Sequence, residues 1–224
     1  MSAITIDVVS DVVCPWCFIG QKKLDRSLTL VPDLDVTVSW RPYQLDPTIP
    51  PGGRDRQDYM AAKFGSLEKV EQIHQRIQAV GKELGIAFDF AAIKIAGNTL
   101  NAHRLIRWAG ASGSGQQDKI VRALFAAFFE QGRDIGRSDV LLDIARETGM
   151  DTAVVEALLP TDADVESVRT EIATAGQMGI TGVPCFILAD RYALMGAQEP
   201  DVIADALRQI ANSDNLPKDQ GLST

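Results

Sequence analysis

The alternation of hydrophobic and polar residues predicts a strand, a helix and a second strand within the first 42 residues. β-Branched side chains dominate residues 4–10 and polar residues bound them, which favours a strand. Residues 18–30 carry apolar side chains at helical spacing, and Pro15 suits the first turn because its missing N–H costs nothing there. Residues 33–41 alternate again, so this region is predicted to be a β-α-β unit.

The pattern changes after a group of prolines that is followed by Gly52 and Gly53. From residue 55 to residue 175 the apolar side chains recur mostly at spacings of three, four or seven, which predicts helices. The Gly/Ser-rich segment 110–115 is interpreted as a connector between two of these helices. It does not resemble a phosphate-binding loop, because no strand precedes it and its glycine spacing does not fit.

A period of two returns at residues 182–184. Residues 185–188 and 192–195 predict a β-hairpin with its turn at 189–190. Residues 199–211 have inward-facing apolar positions at helical spacing and predict a closing helix.

The order of these elements predicts an α/β protein with a thioredoxin-like fold that carries a large all-helical insertion. Residues 1–42 and 176–212 would form the split thioredoxin-like domain, and residues 43–175 the inserted helical domain. The insertion is longer than its host, but the entropy cost of closing a loop grows only logarithmically with loop length. Residues 213–224 are expected to form a polar C-terminal tail.

Composition narrows the classes of function. Of 224 residues, 46% are hydrophobic and 23% are charged, which excludes a disordered chain. The 22 basic and 30 acidic residues give a net charge of −8, so we expect no nucleic-acid partner. The N-terminus lacks a basic segment followed by an apolar run, and no apolar stretch reaches membrane-spanning length. We therefore expect a cytoplasmic protein without a membrane partner.

Two of the three cysteines stand where thiol chemistry is favoured. Cys14 lies at the junction of the first strand and the first helix, where helix N–H groups and the helix dipole stabilise a thiolate. Cys17 follows three residues later on the same helical face, so that its sulfur can reach Cys14. We predict that Cys14 attacks the substrate and that Cys17 is the buried resolving thiol. Cys185 is expected to be a packing residue outside the catalytic pair, with a regulatory disulfide as the alternative.

Two other interpretations of the cysteine pair are less favourable. A zinc site needs four ligands, and the chain offers only Cys185, His74 and His103 besides the pair, without a second CxxC or an HxxxH. We therefore expect no metal. The second of these interpretations is that both are incidental core cysteines.

The Val183–Pro184 pair is the second feature of the sequence, after the cysteine pair, that indicates a thiol site. A proline that opens a buried strand removes a ladder hydrogen-bond donor and restricts the residue before it. The arrangement is understandable if the Val183–Pro184 peptide bond is cis and the turn lies against the CxxC segment. The alternative is an ordinary trans proline at the start of an edge strand.

Several blocks of sequence resemble the FrnE-like branch of the DsbA family. They extend over nearly the whole chain and occur in the same order: residues 10–20 (SDVVCPWCFIG), 98–99 with 102–104 (NT, AHR), 124–129 with 132–135 (LFAAFF, GRDI), 179–184 (GITGVP) and 196–198 (GAQ). The resemblance implies a thioredoxin fold with an inserted helical domain, a disulfide centre in the CxxC, and a cis-proline loop opposite it. It further implies a thiol–disulfide oxidoreductase that acts on a disulfide-containing protein or a small thiol.

The same architecture serves two classes of glutathione-dependent enzyme, 2-hydroxychromene-2-carboxylate isomerases and kappa-class glutathione transferases. Those enzymes carry serine where this chain has Cys14, and they need no second cysteine. The presence of both Cys14 and Cys17 favours dithiol–disulfide exchange over glutathione-assisted isomerisation. A third hypothesis is a non-enzymatic binding protein whose CxxC only senses redox state. No bound organic cofactor is expected, with glutathione as a candidate redox partner.

Residues around the cysteines complete the candidate substrate site. Pro15 and Trp16 are expected to present an apolar platform, and Val183 and Pro184 to face it. His103 is either a partly buried side chain with one hydrogen bond or, with Asn98, part of a helical lid over Cys14.

Two acidic residues are alternative candidates for one role, and one histidine is expected to lie outside the site. Asp7 and Asp11 are both close enough in sequence to accept a proton from Cys17, and the sequence does not choose between them. His74 is expected on a solvated face, because its sequence neighbours are polar. Whether the inserted helices form a homodimer is left open.

Overall fold

The computed structural model describes residues 3–214, in which strands and helices follow the predicted order. The strands are β1 (Ile4–Ser10), β2 (Val36–Pro42), β3 (Arg54–Asp55), β4 (Ile95–Ala96), β5 (Cys185–Leu188) and β6 (Tyr192–Met195). The helices are α1 (Pro15–Thr29), α2 (Arg56–Phe64), α3 (Leu67–Glu83), α4 (Leu100–Ala111), α5 (Ser114–Phe129), α6 (Ser138–Glu147), α7 (Thr152–Leu158), α8 (Val165–Gln177) and α9 (Pro200–Asp214).

The main sheet has four strands in the order β2-β1-β5-β6. β1 pairs in parallel with β2 and antiparallel with β5, and β6 pairs antiparallel with β5. Val8 in the central strand lies opposite Trp40 on one side and Phe186 on the other. This sheet of parallel and antiparallel strands, with α1 between β1 and β2 and α9 after β6, confirms the predicted α/β thioredoxin-like fold.

The hairpin between β5 and β6 is confirmed at the predicted position. Ala189 and Asp190 have φ of 51° and 56°, and the Arg191 N–H donates to the Leu188 carbonyl at 3.1 Å. Two consecutive left-handed residues inside such a turn match the right-handed twist of antiparallel strands.

The segment between β2 and β5 is helical apart from one small sheet. β3 and β4 form a two-stranded antiparallel ladder that the helical periodicity did not predict. The continuous apolar pattern at 60–84 is divided into α2 and α3, because Gly65 ends α2 at φ 97° and the Ser66 side chain caps α3.

Aromatic packing joins the helical segment to α1. Phe18 stacks on Phe125 with ring centroids 5.1 Å apart and meets Phe88 edge-on at 5.8 Å. In addition, the Gln117 side chain from α5 accepts the Trp40 backbone N–H at 2.9 Å and donates to the Trp40 carbonyl at 3.2 Å. One hydrophobic core therefore contains residues of both the sheet and the inserted helices.

The remaining expectations concern the chain ends. The closing helix extends beyond residue 211 to Asp214, and residues 215–224 of the predicted polar tail lie outside the described residues. Between residues 3 and 214 no helix combines the length and the apolar character that a membrane crossing needs.

Candidate active site

Cys14 is the N-cap residue of α1. Its backbone is extended (φ −93°, ψ 113°), its carbonyl accepts the Cys17 N–H at 3.0 Å, and Pro15 occupies the first turn. A side chain at the N-cap faces the N–H groups that have no partner within the helix, and these groups and the helix dipole favour negative charge. The local sequence therefore positions Cys14 at the N-terminal end of α1.

Cys17 lies one turn into α1 with 1% of its surface exposed. Burial raises the pKa of the Cys17 thiol well above its ordinary value, and the hydrogen bond to Cys14 and repulsion by the charged sulfur raise it further. The Ser10 hydroxyl and the Asp11 backbone N–H act on this pKa in the opposite direction. At neutral pH, Cys17 is thus a protonated thiol directly beside Cys14.

The loop before β5 lies against the start of α1. The Val183–Pro184 peptide bond is cis, and the Cys14 thiol donates to the Val183 carbonyl at 3.7 Å. A Cβ built on Gly20 would lie 2.9 Å from Cγ of Pro184. The absence of a side chain at residue 20 therefore allows the proline ring to pack on α1.

A cavity of about 380 Å³ opens at Cys14. Trp16, which is 42% exposed, stands at its edge, and Val183 lines it as well. Its opposite wall comes from α2, α3 and the loops before and after them and is mainly apolar: Ile49, Tyr59, Met60, Phe64, Ile73, Ile77 and Phe90. The volume falls in the range of about 300–1,000 Å³ that is usual for small-molecule sites.

Asp11, rather than Asp7, belongs to this site. Asp11 is 1% exposed, lines the cavity with Cys14, and accepts the Leu45 N–H at 2.8 Å through one carboxylate oxygen. Its other oxygen lies 3.4 Å from Nε2 of His103. Asp7 instead forms an ion pair with Arg41 at 3.0 Å on the sheet.

The structure does not place Asn98 and His103 on the cavity wall, which corrects their predicted role as a lid over Cys14. The Asn98 amide donates to the Ile49 carbonyl at 2.6 Å, and its oxygen accepts the Leu100 N–H at 2.9 Å, so the side chain holds two backbone segments together. His103, in α4, is 3% exposed, and its Nε2 lies 3.4 Å from a carboxylate oxygen of Asp11.

The prediction that His74 lies on a solvated face is wrong. Its ring stacks on Phe90 with centroids 4.0 Å apart, and Nε2 is buried without a hydrogen-bond partner among the described atoms. Burial lowers the pKa of His74, and the nearby charge of Arg56 lowers it further. His74 and Arg56 both line the cavity at Cys14.

Arg56 was not identified from the sequence, where it reads as an ordinary polar residue at the start of a helix. Its guanidinium lies 5.8 Å from the centroid of the Phe128 ring, and burial lowers its pKa.

Cys185 is fully buried in a small cluster with Val9, Ala175 and Ile180, and burial raises the pKa of its thiol. In the described part of the chain, no three side chains of His, Cys, Asp or Glu cluster as metal ligands would.

Comparisons with known proteins place this geometry in context. The family described as "DSBA-like thioredoxin domain" matches residues 5–208. A probable DsbA oxidoreductase from Streptomyces coelicolor is 28% identical, with a TM-score of 0.85 over 96% of this chain and 92% of its own.

Two more distant structures share the fold. A 2-hydroxychromene-2-carboxylate isomerase is 17% identical, with a TM-score of 0.70 over 94% of this chain and 97% of its own. The cytosolic disulfide reductase DsbM from Pseudomonas aeruginosa, solved with glutathione, is 20% identical, with a TM-score of 0.61 over 93% and 99%.

Proposed function

This chain belongs to the family of DSBA-like thioredoxin domains, and from that premise we propose that it is a thiol–disulfide oxidoreductase of FrnE type with Cys14 and Cys17 as its redox centre. The observation that carries the proposal is the unequal position of the two cysteines. Cys14, which is 5% exposed, lines the cavity at the N-terminus of α1, whereas Cys17 is 1% exposed, does not line the cavity and has a raised pKa.

The proposed reaction has two balanced steps. The Cys14 thiolate attacks one sulfur of a substrate disulfide, forms a mixed disulfide, and releases the other sulfur as a thiolate that takes up a proton. Cys17 then loses its proton and attacks the Cys14 sulfur, which releases the second substrate thiol and leaves a Cys14–Cys17 disulfide. Two electrons pass from the cysteine pair to the substrate, and the reverse steps oxidise a dithiol.

Asp11 is proposed to accept the Cys17 proton in the second step. Its backbone N–H acts on the Cys17 thiol as a hydrogen-bond donor, and its buried carboxylate lines the cavity with Cys14 and lies 3.4 Å from Nε2 of His103. Since the pKa of Cys17 is raised mainly by burial, its thiol needs a nearby acceptor before it can attack at neutral pH. The Leu45 N–H, which donates to one carboxylate oxygen at 2.8 Å, holds the Asp11 side chain in this position.

Glutathione is proposed as the redox partner, and the cytoplasm as the compartment. This part draws on the Pseudomonas disulfide reductase of the same fold, which is described as cytosolic and was solved with glutathione. A cytoplasmic reductase needs a thiol that returns the Cys14–Cys17 disulfide to two thiols, and glutathione supplies two electrons per pair of molecules oxidised.

A glutathione-dependent isomerase is the second candidate function. One observation favours it: the cavity at Cys14 has the volume and apolar walls of a small-molecule site. In that reaction Cys14 would activate the substrate together with glutathione, and Cys17 would have no role. The requirement for Cys17 therefore separates the two functions.

The test compares single-cysteine variants. Reduced protein is assayed with a small disulfide in the presence of glutathione, glutathione reductase and NADPH, and separately for glutathione-dependent isomerisation of 2-hydroxychromene-2-carboxylate. We expect disulfide turnover in the wild type, none in Cys14→Ser, and a trapped mixed disulfide on Cys14 in Cys17→Ser. Iodoacetamide at slightly acidic pH should label Cys14 well before Cys17. Isomerase activity that survives Cys14→Ser would replace the oxidoreductase proposal with the alternative.

A further inference from the structure

The cavity at Cys14 contains two polar side chains that lack partners. No described residue forms a hydrogen bond or an ion pair with the guanidinium of Arg56, which packs against the Phe128 ring at 5.8 Å. The buried Nε2 of His74 likewise has no hydrogen-bond partner in the described part of the chain. Both residues also line a neighbouring cavity of about 640 Å³, so they stand in the wall between the two spaces.

The other charged side chains on the cavity wall each have at least one polar partner among the described residues. Asp46 accepts the backbone N–H and the hydroxyl of Thr48, at 2.9 and 2.6 Å. Lys63 donates to the Tyr59 hydroxyl at 3.0 Å. Asp11 accepts the Leu45 N–H through one oxygen, while its other oxygen is buried without a hydrogen bond, 3.4 Å from Nε2 of His103. As an acceptor, that oxygen cannot bind an anion, so Arg56 and His74 are the groups on this wall that an anionic ligand can satisfy.

A partly desolvated guanidinium without a counter-charge is unfavourable, because water has been removed and no carboxylate replaces it. Burial lowers the pKa of Arg56, and no carboxylate is close enough to oppose that shift. An anion bound to Arg56 would supply the missing charge and two parallel hydrogen bonds, which the planar guanidinium forms best with a carboxylate.

We infer that the cavity binds a small apolar molecule with a carboxylate, the acid group on Arg56 and His74 and a sulfur atom toward Cys14. This inference rests on the proposed disulfide exchange and names its substrate class. Apolar walls from Met60, Ile73 and Phe90 enclose the body of such a molecule. The pocket is thus suited to a compact hydrophobic acid rather than to an extended peptide.

The kinetic test uses two aromatic disulfides in the Cys17→Ser/Cys185→Ala background, where Cys14 is the sole thiol. 5,5′-Dithiobis(2-nitrobenzoate) carries a carboxylate on each ring, whereas 4,4′-dithiodipyridine carries none. The second-order rate constants of Cys14 with both reagents are measured by stopped flow at pH 7. The ratio of carboxylated to uncharged reagent should fall about tenfold in Arg56→Met, as expected for loss of one charge-assisted contact.

The matched control is Arg76→Met, which removes the same charge from an exposed position of α3 and should leave the ratio unchanged. If Arg56→Met and Arg76→Met give the same ratio as the parent protein, the carboxylate site is contradicted. If Cys14 reacts with neither disulfide, the proposed exchange reaction itself fails, so the two failures are distinguishable.

A binding measurement on the unmutated protein does not depend on folding of the variants. 2-Naphthoate should slow the alkylation of Cys14 by uncharged iodoacetamide, while 2-naphthamide, of the same shape without charge, should protect far less. Equal protection by the two compounds, or protection by neither, would overturn the inference.

Discussion

The Cys14 thiol donates a hydrogen bond to the Val183 carbonyl at 3.7 Å, which connects residues 169 positions apart in the chain. The contact places the Val183–Pro184 loop directly against the reactive end of α1. Because Pro184 packs on Gly20 in the same helix, the position of this loop depends on a residue with no side chain.

We predict that Gly20→Ala displaces the loop. The new methyl group would lie 2.9 Å from Pro184 and 3.2 Å from Phe186, so the site is overpacked. We expect a loss of about 1–3 kcal/mol in the free energy of unfolding, measured with urea, and slower disulfide exchange. Gly176→Ala in α8 is the control, since nothing lies within 4 Å of its added Cβ and it should slightly stabilise the protein. Equal stability and activity of the two variants would argue against this packing role.

A second prediction concerns alkaline pH. The pKa of Cys17 is raised by burial above its ordinary value of 9.0, so below pH 9 the thiol is neutral in both the folded and the unfolded chain. Above pH 9 the unfolded chain ionises first, and the stability that the neutral thiol contributes is lost progressively as pH rises toward the folded pKa. Urea unfolding of reduced protein between pH 7 and 10.5 should show this loss, and Cys17→Ala should lose less. Parallel pH profiles for the two proteins would contradict a raised pKa.

Asp11→Asn tests the proton acceptor. The asparagine oxygen can still accept the Leu45 N–H, so the fold should be retained, but the side chain no longer takes up a proton from Cys17. Resolution of a preformed mixed disulfide on Cys14 should slow by about a hundredfold at pH 7 and recover as hydroxide takes over at higher pH. Asp7 instead forms an ion pair with Arg41, so Asp7→Asn should resolve the mixed disulfide at the wild-type rate. An unchanged rate in Asp11→Asn would remove Asp11 from the mechanism.

Cys185→Ala should leave the redox chemistry intact. Cys185 is buried in its own cluster with Val9, Ala175 and Ile180, so its loss creates a small cavity that costs about 1 kcal/mol of stability. Disulfide turnover and the thermal midpoint of this variant, measured beside the wild type, check both parts. A loss of turnover as large as in Cys14→Ser, in a folded protein, would show that Cys185 takes part in exchange.

The sequence predicted the part of the site that is built from residues adjacent in the chain. The strand, the junction and the helix that carry Cys14 follow from adjacent residues, so β1 and α1 could be located within a few positions. His74 was misassigned because its neighbours in sequence are polar. Its neighbours on the helix surface are Val70 and Ile77, four residues before and three after, and both are buried. Helical rather than linear spacing would have placed His74 on the inner face.

Arg56 and the cavity wall could not be predicted in this way. Their position depends on how α3 packs against α1 and α2 against α3. The contacts between α3 and α1 join residues far apart in the chain. The ladder of β3 and β4 is too short to give a periodic signal, since each strand has two residues. The sequence also could not choose between Asp11 and Asp7. Their partners, His103 for Asp11 and Arg41 for Asp7, come near only in the folded chain.

The central claim is that Cys14 and Cys17 form one two-electron redox couple, and a titration against glutathione buffers tests it most directly. Protein equilibrated at each ratio of reduced to oxidised glutathione is quenched, alkylated and analysed by mass spectrometry. The account predicts a single transition in which Cys14 and Cys17 become linked to each other while Cys185 remains a free thiol. If Cys17 remains alkylatable in the most oxidising buffer, with glutathione retained on Cys14 alone, the two cysteines are not a redox couple and the account is wrong.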